Sequence, residues 1–304
     1  MLRNGGFSYR ERLGPQADGR SVLEYLSARY THTAPAEWAA RLAGGAIEID
    51  GATAKPDAVV RRGQTLTWNR PAWIEPDAPL GFEVLHEDDD VLAVAKPAGL
   101  PTLPGADFLH ATLLHQVRER FPGASPLHRL GRWTSGVVLF ARSHAAGAEL
   151  SRQWAHHEIG KRYRALAAGL PAADDFLVDV PIGRVPHALL GSVHAADDAG
   201  KHAESRVVVL ERRSDRCLVD VVITTGRPHQ IRIHLAAAGH PLVGEPLYAA
   251  GGRPAPGSQA LPGDPGYLLH AAELAFVHPR DGCRRVLECT PPDALRTRVE
   301  RGAP

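Results

Sequence analysis

Short apolar runs and longer periodic stretches follow one another along the chain. Residues 137–141 read Val-Val-Leu-Phe-Ala, a run that is too short for most helices and β-branched at its start, as is typical of a buried strand. Residues 218–223 show the same pattern, and two strand-like runs within 82–96 flank an acidic turn. Residues 143–158 have a helical composition. The pattern therefore predicts both strands and helices.

Residues from about 20 to 73 carry a pattern of their own. Ser21 is suited to cap a helix, and Asp50-Gly51 is a turn signal between two runs of alternating residues. The predicted elements are two short helices at 22–26 and 37–42, followed by hairpin strands at 46–49 and 64–68.

Three prolines and no periodicity mark residues 71–81 as a boundary between two domains. A chain of 304 residues is long enough for two domains. The predicted organisation is a first domain of residues 1–74 with an N-terminal extension, a linker of 75–81 and a second domain of 82–304.

Composition narrows the cellular setting. Hydrophobic residues make up 44% of the chain and charged residues 23%, as in an ordinary globular protein. Cys217, Cys283 and Cys289 form no Cys-x-x-Cys pair, so we expect reduced thiols and neither a disulfide framework nor a zinc site. No apolar stretch has the length of a signal peptide or a membrane span. We expect a cytoplasmic monomer with no membrane partner.

Positive charge is concentrated in the middle of the chain. The net charge of the whole chain is +1, but residues 128–164 hold seven arginines and lysines against two glutamates, which is a net charge of +5. This concentration suits a polyanionic partner. A solvated helix face is the alternative interpretation.

A basic turn precedes the strand at 137–141. His128, Arg129 and Arg132 lie in this turn, and Thr134-Ser135-Gly136 leads into the strand. Loops at the end of a rigid strand often present binding and reacting groups. The turn therefore indicates a functional loop, with a surface hairpin carrying scattered arginines as the alternative.

A second group of polar residues follows the strand at 218–223. Pro228 fits the first turn of a helix in which Ile231, Leu235 and Ala238 share one face, and Gly239 followed by a proline ends it. The histidines at 229 and 234 are about 140° apart around such a helix, which argues against a shared metal ion. The acidic turn at 87–90 also lacks metal-ligand spacing and is interpreted as structural. We expect no metal site.

Several segments together resemble the RluA-type RNA pseudouridine synthases. Residues 128–136 resemble the signature loop of that family, and 225–234 strongly resemble its third motif. Softer similarity is found at 82–100 (first motif), 161–166 (second motif), 239–248 (continuation of the third), and 269–271 and 276–279 (closing strands). The resemblance covers roughly residues 82–290.

The resemblance implies an α+β fold, in which a pseudouridine synthase domain has a mixed or antiparallel central sheet. The helices and hairpin of the first domain are similar to an S4-like RNA-binding module, with a packing subdomain as the alternative. The implied reaction is the isomerisation of uridine to pseudouridine in structured RNA, either ribosomal or transfer RNA, and it requires no cofactor.

The resemblance also implies roles for particular residues. The catalytic positions are Gly131, where the family has an aspartate, Tyr163, which would lie against the target base, and Arg232, which would lie beside the aspartate. The residues expected to contact RNA are Lys96, His128, Arg129, Arg132, Lys161, Arg227 and His229 in the second domain, and Arg41, Arg61 and Arg62 in the first.

Gly131 conflicts with the chemistry that the resemblance implies. A carboxylate would stabilise or attack the anomeric carbon when the glycosidic bond breaks, and glycine can do neither. Asp107 or the turn at 87–90 could supply one from elsewhere. Arg232 is expected to lack its carboxylate partner and to face water, an anion or RNA phosphate.

Two hypotheses therefore remain. The protein is either a synthase whose carboxylate is supplied unusually, or a catalytically inactive RNA-binding protein or RNA chaperone with the synthase fold. A carboxylate within about 4 Å of Arg232 in the pocket would support the enzyme, and an empty cationic pocket would count against it.

Overall fold

The computed structural model describes residues 2–31 and 33–302. The chain divides into two compact units, one built from residues 1–75 and 189–191, and one from 76–188 and 192–304.

The first unit consists of two helices and a four-stranded sheet. Its elements are β1 (Phe7–Arg12), a 3-10 turn (Pro15–Ala17), α1 (Val22–Arg29), α2 (Pro35–Ala43), β2 (Ile47–Ile49), β3 (Ala52–Thr53) and β4 (Thr65–Arg70), with the sheet order β1-β4-β2-β3. The predicted helices and hairpin strands are confirmed. Ser21 caps α1 together with Glu24, each side chain bonding to the backbone N–H of the other residue.

Strand β1 was not predicted, because its residues are almost all exposed and its alternation, Phe7 and Tyr9 between polar residues, is too short to indicate a strand. It pairs with β4 from Phe7 opposite Arg70 to Arg12 opposite Thr65. The unit therefore begins before residue 20, and a segment interpreted as an extension belongs to its sheet. Its S4-like character stays a prediction.

The second unit is built on a large sheet. Its elements are β5 (Glu83–Glu87), β6 (Val91–Lys96), α3 (Leu113–Arg120), β7 (Ser125–Pro126), β8 (Ser135–Ala141), α4 (His144–Ala155), β9 (Gly160–Ala168), β10 (Asp175–Asp179), β11 (Ile182–His187), β12 (Gly191–Ala196), β13 (Glu204–Arg212), β14 (Arg216–Ile223), α5 (Gln230–Ala237), β15 (Tyr248–Ala249), β16 (Arg253–Pro254), β17 (Leu269–Val277), β18 (Arg284–Glu288) and a 3-10 turn (Asp293–Leu295).

The main sheet has the order β10-β13-β14-β9-β17-β8-β6-β5, with β18 beside β17 and β7 beside β8. The pair β17–β8 is parallel and its other pairs are antiparallel, so the predicted mixed sheet is confirmed. The two segments predicted as closing strands, 269–271 and 276–279, are instead largely one strand, β17. A bulge between Ala271 and Glu273 interrupts its pairing with β9.

Helix α5 is buried along almost its whole length, from Gln230 to Ala236. Ile231 and Leu235 pack on β9 and β14 in one core cluster, as predicted. The helix begins later than predicted, because His229 adopts a left-handed conformation (φ 57°) and leaves Pro228 outside. None of the described helices is long and apolar enough to cross a membrane.

Candidate active site

The signature loop lies at the start of β8, where the sheet is very tightly packed. Gly136 lies opposite Ala271 of β17, which in turn lies opposite Tyr163 of β9. A Cβ atom at Gly136 would lie 2.2 Å from the Ala271 carbonyl oxygen, and its φ is 115°. Only glycine fits there. The loop is thereby held next to Tyr163.

Backbone hydrogen bonds connect the loop to the turn after β6. Gly99 N–H donates to the Arg132 carbonyl (2.8 Å), and Thr102 Oγ1 donates to the Leu130 carbonyl (2.9 Å). The turn that follows β6, Lys96-Pro97-Ala98-Gly99, therefore borders the loop.

Lys96 supports this turn from inside. Its ammonium donates to the carbonyl oxygens of Pro97 (2.8 Å), Leu100 (2.6 Å) and Arg132 (3.0 Å), and the residue is 1% exposed. Burial, with the charge of Arg132 second, lowers the pKa of Lys96 to about 7. The prediction that Lys96 contacts RNA is wrong, because its three donors are used inside the protein.

His128 is also directed into the protein. Its ring stacks on Trp154, with 4.6 Å between ring centroids, and its Nε2 accepts a hydrogen bond from Leu139 N–H (3.0 Å). Burial, with the charge of Lys161 second, lowers the pKa of His128 to about 3. A neutral ring used as a backbone acceptor orders the loop, so the predicted RNA contact of His128 is replaced by a structural role.

Arg132 closes the loop against its neighbours. Its Nε donates to the Gly99 carbonyl (2.9 Å) and its Nη2 to the Asp77 carbonyl (3.2 Å). The guanidinium also lies over the rings of Phe108 (4.6 Å) and Trp133 (5.0 Å). Most of its binding capacity is therefore used within the protein.

Arg129 differs from Arg132. It is exposed, and no hydrogen bond or ion pair to its side chain is found in the described part of the chain. Its charge is felt by His229, which places it near the start of α5. Of the two loop arginines, Arg129 is the one available to a ligand.

His229 is held by Tyr248. The Tyr248 hydroxyl donates to the His194 carbonyl (2.8 Å), so His229 Nδ1 donates to the Tyr248 oxygen (2.6 Å) and Nε2 is left without a proton. Burial first, and then the charges of Arg232, His194 and Arg129, lower the pKa of His229 to about 3. His229 therefore offers RNA a neutral acceptor and no positive charge.

Gln230 fixes the turn before α5. Its side-chain oxygen accepts from Thr225 Oγ1 (2.8 Å) and from Arg227 N–H (3.0 Å), and its side-chain nitrogen donates to the Glu204 carbonyl (2.8 Å). Arg227 Nε donates a hydrogen bond to the His202 carbonyl (3.0 Å). The two terminal nitrogens of Arg227 have no partner among the described residues.

Arg232 has a carboxylate partner, so the expectation of an unpaired charge is wrong. Glu245 binds its guanidinium through both oxygens, at 2.6 Å (Nη2) and 2.8 Å (Nε), and both side chains are almost completely buried. Glu245 Oε1, which accepts from Arg232 Nη2, also accepts from the backbone N–H groups of Leu247 (3.0 Å) and Tyr248 (3.3 Å). Glu245 belongs to the segment 239–248, but sequence reasoning gave no reason to pair it with Arg232.

Tyr163 lies between two core clusters. It packs against the cluster of β9, β14 and α5, and against the cluster that contains Leu130 of the loop. Burial raises the pKa of Tyr163 to about 12. No hydrogen bond to its hydroxyl is found among the described residues.

Tyr267 joins the predicted positions together, and sequence reasoning missed it. Its ring centre lies 4.1 Å from the Arg232 guanidinium carbon, and it shares a core cluster with Tyr163. A Cβ atom placed on Gly131 would lie 3.0 Å from its hydroxyl oxygen. Gly131 and Arg232 therefore both lie beside Tyr267, and Tyr163 packs on the core cluster to which Tyr267 belongs.

Two glycines set the position of Tyr267. A Cβ atom on either Gly244 or Gly266 would lie 2.3 Å from the other's carbonyl oxygen, and both have positive φ angles. The two backbones therefore touch immediately before Glu245 and Tyr267, which both contact Arg232. Trp133 Nε1 adds a hydrogen bond to the Gly263 carbonyl (2.9 Å), which connects this segment to the loop.

Lys161 is a buried cation without a counterion. The residue is 7% exposed, and no hydrogen bond or ion pair to it is found in the described chain. Its Nζ would lie 3.8 Å from a Cβ atom on Gly226, and burial lowers its pKa. Lys161 is therefore close to the turn that carries Arg227.

The predicted RNA contacts of the first unit differ from one another. Arg41 lies between the rings of Trp38 (4.5 Å) and Trp68 (4.3 Å) and pairs with Glu37, so its prediction as an RNA contact is replaced by a packing role. Arg61 and Arg62 are exposed, and their side chains have no partner among the described residues.

The acidic turn is structural, as interpreted. Asp88 accepts from the backbone N–H groups of Asp90 and Val91 (both 2.8 Å) and from His278 (3.1 Å). Asp90 pairs with Arg280. No cluster of metal-ligating residues is present in the described residues, and Asp107 lies at an exposed position.

Comparison with known proteins agrees with this geometry. The profile of the RNA pseudouridylate synthase family matches residues 90–237. A relative from Synechocystis sp., called an uncharacterised RNA pseudouridine synthase, is 44% identical over 84% of this chain and 89% of its own length. RNA pseudouridine synthase 5 of Arabidopsis thaliana is 37% identical over 98% of this chain and 96% of its own length.

A further relative, ribosomal large subunit pseudouridine synthase D of Pseudomonas aeruginosa, is 34% identical over 83% of this chain and 84% of its own length. Among solved structures, human RNA pseudouridylate synthase domain containing 1 superimposes with a TM-score of 0.57 at 27% identity, covering 72% of this chain and 86% of that one. With its motifs, its sheet and these similarities in agreement, the chain belongs to the RluA-type RNA pseudouridine synthase family of isomerases.

Proposed function

We propose that this protein converts uridine to pseudouridine in ribosomal or transfer RNA. The observation that carries the proposal is the position of Tyr267, which lies beside the Gly131 turn and against Arg232 of the Arg232–Glu245 pair, and which shares a core cluster with Tyr163. The reaction breaks the bond from uracil N1 to ribose, turns the base and rejoins it through C5. It consumes nothing besides the RNA, so the proposal includes no cofactor.

The target uridine must first leave its stack, and phosphate contacts compensate for that cost. Arg129 is an exposed arginine without a partner in the described chain, and the two terminal nitrogens of Arg227 have no partner among the described residues. Lys161 adds a cation with no counterion among the described residues. These three side chains support a polyanion at the site.

Tyr163 supports recognition of the flipped base. A base stacked on an aromatic ring gains about 1–3 kcal/mol, and the stack accepts any base. The selection of uracil would then fall to polar groups, and His229 offers an unprotonated Nε2 beside Arg232.

One observation favours a second candidate, a catalytically inactive RNA-binding protein. The loop has no carboxylate, and Glu245, the carboxylate bound to Arg232, already has both of its oxygens engaged. Such a protein would keep the RNA contacts and lack the isomerisation.

The test is the pseudouridine content of unmodified ribosomal and transfer RNA after incubation with the purified protein, measured by mass spectrometry of the nucleosides. We expect new pseudouridine with the natural protein and a loss with Tyr163→Leu, which fills apolar volume but has no ring to stack. Phe176→Leu is the matched control, because Phe176 packs on the same core cluster from β10.

Pseudouridine formation by the natural protein and by Phe176→Leu, but not by Tyr163→Leu, would support the enzyme. RNA that is bound with measurable affinity and stays unmodified would refute it and leave the second candidate.

A further inference from the structure

Tyr267 carries a hydroxyl group to which the described chain offers no hydrogen-bond partner. The residue is 4% exposed, and none of the described side chains or backbone groups bonds to its oxygen. The oxygen is not among the buried unpaired polar atoms of the described chain, so it is open to a ligand group at the exposed loop beside it.

The hydroxyl lies in the space next to Gly131. A Cβ atom there would lie 3.0 Å from the Tyr267 oxygen and 3.4 Å from Thr134 Oγ1. The absence of a side chain at Gly131 therefore leaves room for the phenol, and Gly131 itself is exposed. A ribose lying over the Gly131 turn would meet this oxygen.

The nearby carboxylate is already committed to other groups. Glu245 accepts four hydrogen bonds, two of them from Arg232, and its side chain is 1% exposed. The acidic turn is bound to its own backbone, to His278 and to Arg280. Neither group is free to act on a sugar.

Arg232 supplies a fixed positive charge to the Tyr267 ring. Its guanidinium carbon lies 4.1 Å from the ring centre, and Glu245 and the Pro262 carbonyl (2.7 Å) hold it in place. A cation held over an aromatic ring stabilises negative charge that develops on that ring during a reaction.

We infer that the Tyr267 hydroxyl is the catalytic group of this protein and that it does the work of the missing carboxylate. The inference rests on the proposed function. The Tyr267 oxygen forms a bond to the anomeric carbon as the bond from that carbon to uracil N1 breaks, and the phenolic proton passes to N1. After the base has turned, uracil C5 forms a bond to the anomeric carbon as the bond between that carbon and the tyrosine oxygen breaks. The proton on C5 then passes to the tyrosine oxygen. Nothing is oxidised or reduced, and the phenol is regenerated.

The first test compares the natural protein with Tyr267→Phe, which keeps the ring under Arg232 and removes only the oxygen. Pseudouridine in the RNA is measured by mass spectrometry, and RNA affinity is measured in parallel. We expect Tyr267→Phe to bind RNA as the natural protein does and to lose pseudouridine formation by a factor on the order of 10³ or more.

Two further variants separate catalysis from packing. Gly131→Asp combined with Tyr267→Phe removes the hydroxyl that crowds position 131 and introduces a carboxylate, so we expect this pair to recover activity. Asp107→Asn removes an exposed carboxylate that could otherwise be proposed as the catalytic group, and we expect this variant to keep its activity unchanged.

The outcomes are distinct. Loss in Tyr267→Phe with recovery in the double variant supports the inference. Full activity in Tyr267→Phe, loss without recovery, or loss in Asp107→Asn each overturns it while the proposed function stands. An inactive natural protein refutes the proposed function, and Tyr267 as its catalyst with it.

Discussion

The ion pair between Arg232 and Glu245 is the residue-scale feature on which the site depends. Both side chains are out of water, and each oxygen of the carboxylate faces a guanidinium nitrogen. A buried pair of this kind contributes little compared with apolar packing, but the loss of one member leaves an uncompensated charge.

We therefore predict that Glu245→Gln destabilises the second unit by about 3–5 kcal/mol. The substitution keeps the volume of the side chain and removes the charge that faces Arg232. The change in the free energy of unfolding is measured by urea unfolding, with tryptophan fluorescence as the signal. Glu149→Gln, which breaks the exposed pair with Arg152 on α4, is the control and should have a much smaller effect. Equal effects of the two substitutions would contradict the prediction.

At this scale, the sequence predicted which residues lie at the site better than it predicted what their side chains bind. Arg232 lies beside the Gly131 loop through Tyr267, but Lys96, His128 and Arg41 were predicted to face RNA and are used within the protein. Whether a basic side chain binds a carbonyl, a ring or a phosphate depends on what tertiary structure places beside it, and sequence spacing contains no such information. Tyr267 was missed for the same reason.

At the scale of elements, the site depends on the rigid strand β8 and on the cationic turn that precedes it in the sequence. His128 and Arg132 hold the turn from inside, and Arg129 remains exposed without a partner in the described chain. A free guanidinium on a fixed backbone is suited to a phosphate group because little freedom remains to be lost on binding.

Arg129→Gln should weaken RNA binding and reduce the slope of log affinity against log salt concentration by about 1. Titrations of unmodified transfer RNA at several salt concentrations measure that slope. Arg206→Gln is the matched control, because Asp175 already pairs with this exposed arginine. An unchanged slope for Arg129→Gln would remove the loop from the RNA interface.

Most elements could be predicted, because apolar runs and helix caps are local signals. Strands β5, β6, β8 and β14 and helix α4 lie where the pattern indicated. Strand β1 lies exposed at a sheet edge and alternates only at Phe7 and Tyr9. The start of α5 depends on a left-handed residue, His229, that no local rule indicates. The errors therefore concern tertiary pairing and unusual backbone conformations.

At the scale of the whole molecule, buried neutral histidines make stability depend on pH. The pKa values of His128 and His229 in the folded state are about 3, both lowered mainly by burial. In the unfolded chain a histidine titrates near 6.5. The unfolded state thus binds more protons between these values, so stability rises with pH there and is lost as pH falls from about 6.5 towards 3.

Each of these histidines should cost about 2 kcal/mol of stability at pH 5 relative to neutral pH. His128→Gln keeps an oxygen that can accept from Leu139 N–H and cannot be protonated. We predict that the loss of unfolding free energy between pH 7 and pH 5 is smaller in His128→Gln by about 2 kcal/mol. Urea unfolding at the two pH values measures it. The same loss in both proteins would show that protonation of His128 is not a source of the pH dependence.

The overall fold could be predicted because its motifs occur in one order along residues 82–290, and each marks a strand or helix of the sheet. The division of the chain into a first and a second unit falls between residues 75 and 76. The RNA-binding nature of the first unit remains a proposal, with Arg61 and Arg62 as its exposed cations.

Positions 131 and 267 share one small volume, and this constrains how the site can evolve. A lineage that gained an aspartate at 131 alone would crowd the phenol of Tyr267, because even a Cβ atom would lie 3.0 Å from its oxygen. A lineage that lost the phenol first would pass through a site with neither group. The two positions should therefore be inherited as a pair, with a side chain at 131 accompanying the loss of the hydroxyl at 267.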